Sequence, residues 1–254
     1  MVPFDIYLQQ CHDYIRLQAW YVWHLHVQRR LPHAEIFGNQ LVRFLYEPNG
    51  AQDEAAWRAL QDALLDVCRR HGSNRDTRVL EQRVLDRVRA FVNDRYIEDV
   101  IYARYRENVQ KATPFYGFTC DIKDEQLSLH FTNTVDPDSP LRHVPEMRRG
   151  LARLIADIRT NNPEVSVVYC GTWLNSVSSF SGLFPAVWLA GAETAPPAGH
   201  GGWWGQFTDR TGALHRENAR HLRQTGRFRY PFLRCECPIE DLGRHLADDM
   251  PPRS

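Results

Sequence analysis

The spacing of apolar residues changes once along this chain, at Pro114, and that change limits the fold more than any other feature. Before it the period is helical. Trp57, Leu60, Leu64 and Val67 follow a predicted cap at Asp53, and Gly72 stops the run. Leu80, Val84, Val88 and Phe91 stripe a second helix that starts at Asp76. Segments 4–30, 34–46 and 94–110 read as three more.

After Pro114 the pattern alternates. Phe115–Ile122 and Leu127–Asn133 read as strands joined by a polar hairpin turn, Lys123-Asp124-Glu125-Gln126. Met147, Leu151, Leu154 and Ile158 make one helical face, and Val165–Cys170 is a β-branched run that fits a buried strand. Residues 171–202 are irregular around a short helix at 184–190. Trp203–Thr208 and Phe232–Cys237 read as strands, with helices near 213–224 and from Pro238 to about His245. The expectation is an α+β chain: a helical region over 1–113 packed on a C-terminal α/β layer with one mixed sheet over 114–247, and a frayed tail at 248–254.

Hydrophobic residues at 43 % allow a real core, and 31 basic residues are matched by 31 acidic ones. No net field draws the chain to nucleic acid or an acidic membrane, so neither is expected as a partner. The basic residues are arginine except Lys111 and Lys123, a bias that GC-rich bacterial genomes produce. Met1-Val2-Pro3-Phe4-Asp5 has no basic stretch leading into an apolar run. With six irregularly spaced cysteines, a reducing compartment, the cytoplasm, is expected. The aromatic cluster Trp20, Tyr21 and Trp23 suggests self-association into a homo-oligomer.

No phosphate-binding GxxxxGK, no GxGxxG, no GxSxG and no HExxH occurs. Cys235-Glu236-Cys237 lacks the CxxC spacing of a structural zinc site. His24 and His26 point about 200° apart on a helix, too far to share a metal. Chemistry is better sought where predicted strands run into glycine-containing loops, because a rigid sheet fixes polar groups at an open rim. That places a small-molecule substrate near His130 and Asn133, near Cys170-Gly171-Thr172-Trp173-Leu174-Asn175, and near His200-Gly201-Gly202-Trp203-Trp204-Gly205-Gln206 with Asp209 beyond. His130 or His200 would serve as base and Cys170 as nucleophile. Trp173, Asn175, Trp204, Gln206 and Asn133 would contact substrate, and Asn175 with the glycine amides would hold an oxyanion. The alternative is a first-row transition metal held by His130, His200 and a carboxylate, Asp121 or Asp209, in a hydrolase or oxygenase. A third reading is a non-catalytic interaction protein.

One stretch resembles a known family. Leu127-Ser128-Leu129-His130, then a helix, then a strand ending Tyr169-Cys170-Gly171-Thr172-Trp173-Leu174, is similar to the C-terminal domain of some bacterial GNAT-like acyltransferases over about 127–185. Those carry a comparable strand, a helix, and a strand ending in Cys-His-Ser-Trp-Leu-Leu. Here Gly171 stands for that histidine and Thr172 for the serine, and the glycine-containing acyl-CoA signature before a helix is missing. The resemblance implies acyl transfer, with acyl-CoA as donor.

Overall fold

The computed structural model describes residues 1–29, 54–195 and 201–248. The expected helix at 34–46, the cap at Asp53, the tail 249–254 and His200 lie outside those residues. The fold is α+β with one mixed sheet. The described chain divides into a helical unit, residues 2–104 with 201–229, and a sheet unit, Met1 with 105–195 and 230–248. The helical unit thus draws on both halves of the sequence.

In the helical unit, α1 (Phe4–Arg29) is followed by α2 (Glu54–His71) and α3 (Arg78–Phe91). One turn at Asp94–Tyr96 then leads into a π-helical segment, Ile97–Tyr102, and on to α4 (Ala103–Ala112), which runs across the division between units. Of the stripes expected of α2 and α3, Leu60, Leu64 and Val67 on α2 and Leu80, Val84 and Val88 on α3 are buried. Each such side chain contributes about 1.5–3 kcal/mol on burial. Phe91, at the end of α3, is instead 41 % exposed, and the side chain of Trp57 lies outside the described residues. α1 differs. From Tyr14 to Trp23 all but Arg16 are buried, so it is a central helix rather than a surface one. Trp20, Tyr21 and Trp23 are core residues, not an exposed patch for self-association.

The expected strand at Trp203–Thr208 does not form. Gly201–Trp204 is an α-helical turn and Gly205–Phe207 a 3-10 turn, and Thr208 makes only an isolated bridge to Leu214. Aromatic enrichment mimics a strand, but here the rings of Trp204 and Phe207 close on Phe228, and Trp204 also meets Tyr14 and Tyr21 of α1. Within this unit α5 (Arg216–Thr225) brings Arg223 onto Glu81 in a two-pronged ion pair of 2.7 and 2.9 Å.

The sheet unit holds β1 (Phe118–Lys123), β2 (Gln126–Phe131), α6 (Val144–Asn161), β3 (Val167–Thr172), a two-residue β4 (Glu193–Thr194), β5 (Leu233–Pro238) and α7 (Ile239–Asp248). Strand order is β1-β2-β3-β5-β4, with only β2 and β3 parallel. The parallel pair needs a crossover, and α6 supplies it. Its face Met147, Leu151, Leu154 and Ile158 packs with Leu242 and Leu246 of α7 over Leu127, Leu129, Val168, Cys170, Cys235 and Cys237. Gly150 lets α6 approach the backbone of Phe115, where a Cβ would collide. Among the described residues no helix is long and apolar enough to cross a membrane.

Candidate functional site

Because strand side chains alternate, the register assigns each residue of the sheet to one of two faces. Opposite the helix-covered face stands a polar one. One row reads Asp121, Ser128, Tyr169, Glu236, and the next reads Thr119 and His130 on one side, Gly171 and Arg234 on the other. His130 and Gly171 are separated because the β2–β3 ladder stops early. It joins Gln126 to Val167, Leu127 to Val168 and Ser128 to Tyr169, while β2 runs on to Phe131 and β3 to Thr172. The two parallel strands therefore part at their carboxyl ends. In open sheets with parallel strands, ligands bind outside those ends.

Several sequence candidates lie at this end of the sheet. His130 Nε2 is 2.8 Å from Asp121 Oδ2, which fixes the imidazole on the polar face. Both groups are exposed, at 53 % and 84 %, so the pair contributes little to stability but is open to a ligand. Cys170 is on the opposite face. It is 4 % exposed, and burial pushes its thiol up to about 12, with Cys235 adding to the effect. A thiol in that state is no nucleophile at neutral pH, so the nucleophile role expected of Cys170 is not supported.

Asn175 follows β3 on a 3-10 turn and is 1 % exposed. Its Nδ2 donates to the carbonyls of Cys170 and Leu233, both at 2.9 Å, and its Oδ1 accepts from Trp188 Nε1 at 3.1 Å. Nothing is left of the amide for an oxyanion. It is a tie between β3, β5 and the 187–190 turn. Asn133 likewise closes its own loop, donating to Asp138 O at 3.1 Å and accepting from Val135 N at 2.9 Å. Trp173 is half-buried against Tyr230, with ring centroids 5.5 Å apart.

The remaining candidates belong to the helical unit. Trp204 is fully buried, and Gln206 is 1 % exposed with its Nε2 donating to Trp203 O at 3.1 Å. Asp209 Oδ1 accepts from Thr211 N, Thr211 Oγ1 and Ala213 N, closing a turn. Among the described residues no group of three His, Cys, Asp or Glu is placed to hold a metal.

Gly171, expected to lend its amide, and Tyr169 of the same strand meet on the polar face. A Cβ at Gly171 would lie 2.8 Å from the Tyr169 hydroxyl and 2.7 Å from Phe232 Cζ. Gly171 thus makes room for Tyr169 to reach along the polar face at the point where the strands part. The signal was available, since a glycine inside a strand often marks close approach.

The chain matches no protein family, no curated protein and no solved structure.

Proposed function

We propose that the sheet unit is an acyltransferase domain of GNAT-like character, and that the gap between β2 and β3 takes the pantetheine arm of an acyl-CoA. The parting of the two strands after Ser128 and Tyr169 carries this reading. Pantetheine is extended and bears two amides. Beyond the Ser128–Tyr169 pair β2 runs on to Phe131 and β3 to Thr172 with no ladder between them. Backbone groups facing such a gap, those of Gly171 among them, are the kind of edge on which an extended amide chain adds by strand-like pairing. The strand, crossover helix and strand on which the family resemblance rests are β2, α6 and β3.

In this reading an acceptor amine or hydroxyl attacks the thioester carbonyl from the polar face. The acceptor's proton passes to His130, held by Asp121, and the carbon–sulfur bond breaks to release the CoA thiolate, which takes that proton back from His130 to leave as the thiol. His130 is assigned as the base because it is exposed on the polar face of β2, where Asp121 of β1 holds its Nε2. Titration calorimetry with CoA, dephospho-CoA and pantetheine tests the reading. All three are expected to bind, with pantetheine displaced by CoA. Failure of all three to bind contradicts it.

A further inference from the structure

We propose that the helical unit carries a second, independent small-molecule site, a cleft that binds a free α-amino acid as its zwitterion. The cleft is an open surface depression of about 420 Å³, lined by Asp86, Arg89 and Ala90 of α3 with Asn93 and Asp94 just beyond.

Its charges are arranged in a way that a bare surface ion pair is not. Asp94 takes one edge of the Arg89 guanidinium, with Nε to Oδ1 at 3.2 Å and Nη2 to Oδ2 at 2.6 Å. That leaves the other edge, Nη1 and Nη2, as a second fork for a carboxylate. Asp86 is three residues before Arg89 on the same helix, yet among the described residues no ion pair joins them. Asp86 accepts instead from Gln82 Nε2 at 2.8 Å, through Oδ1. Oδ2 remains for an ammonium group, beside the carbonyl end of α3, which also favours a cation. Asn93 caps the next turn with its Oδ1, accepting from Tyr96 N at 2.9 Å, and so keeps its NH2 for the ligand.

His12 of α1, 9 % exposed, pairs with the same carboxylate, its Nε2 3.3 Å from Asp94 Oδ1. The π-helical segment Ile97–Tyr102 begins three residues after Asp94, and such segments concentrate at functional sites. The carboxylate of the amino acid sits on the free fork of Arg89 with Asn93, and its ammonium on Asp86.

Thermal unfolding of the full chain with each free L-α-amino acid in turn, and with butylamine and butyrate as single-charge controls, tests the site. At least one amino acid raises the melting temperature, and neither control does. Arg89→Gln and Asp86→Asn each weaken that amino acid by about tenfold or more, as loss of one charge-assisted contact does. Both positions are exposed, so the unliganded melting temperatures stay near that of the parent. The proposal is overturned if no amino acid stabilises the protein, if butylamine or butyrate alone does as well, or if both variants bind like the parent.

Discussion

The indole of Trp188 donates to the side-chain oxygen of Asn175 at 3.1 Å, and neither residue is more than 1 % exposed. The other end of the same amide holds two strand carbonyls. Asn175→Ala removes three hydrogen bonds, among them the one that Trp188 Nε1 makes in the core, and is expected to cost about 3 kcal/mol. Urea unfolding checks this. A variant with unchanged stability and lost ligand binding would return Asn175 to the substrate-contacting role that its sequence position suggests.

The thiols of Cys170, Cys235 and Cys237 are buried on the helix-covered face, and burial pushes them up to about 12, 11 and 12. Iodoacetamide at neutral pH is expected to spare all three in the folded protein and to reach the half-buried Cys120 first. Mass spectrometry of tryptic peptides reads the order. Rapid labelling of Cys170 would mean that the thiol is a reactive one after all.

Gln18 on α1 is fully buried, and among the described residues neither its amide oxygen nor its nitrogen has a hydrogen-bond partner. Gln18→Met, close in volume and without polar ends, is therefore expected to stabilise the protein by about 1–3 kcal/mol. A loss of stability in urea unfolding would contradict this.

Stability should fall away on both sides of neutrality. Burial, partly opposed by Asp94, lowers His12 from its ordinary value of 6.5. The unfolded chain then takes up the proton first, so stability is full above about pH 6.5 and declines as pH drops below it. Burial raises Cys11 and Cys68 from 9.0 to about 12, so here the unfolded chain loses its protons first, and stability declines from pH 9 upward. Unfolding free energies across pH, with His12→Asn flattening the acid limb, check both signs. A flat profile would contradict them.

Much of this architecture is readable from residue spacing. The stripe Met147, Leu151, Leu154 and Ile158 is the buried face of α6, and the hairpin turn falls between Lys123 and Gln126, which pair across it. What spacing cannot convey is non-local. Trp203 and Trp204 have strand propensity, yet packing against Phe228 draws them into helical turns. Register decides that His130 and Cys170 point to opposite faces, and register depends on pairing partners rather than on either segment alone. The parting of β2 from β3 is invisible for the same reason. β4 is two residues long, too short to show any period.

The parting of those strands is the central claim, and backbone hydrogen exchange with and without CoA tests it most directly. Bound CoA is expected to slow exchange in peptides spanning 129–131 and 170–172, leaving α2 and α3 unchanged. Binding of CoA with no added protection at these two strand ends, or with protection elsewhere alone, would contradict the account.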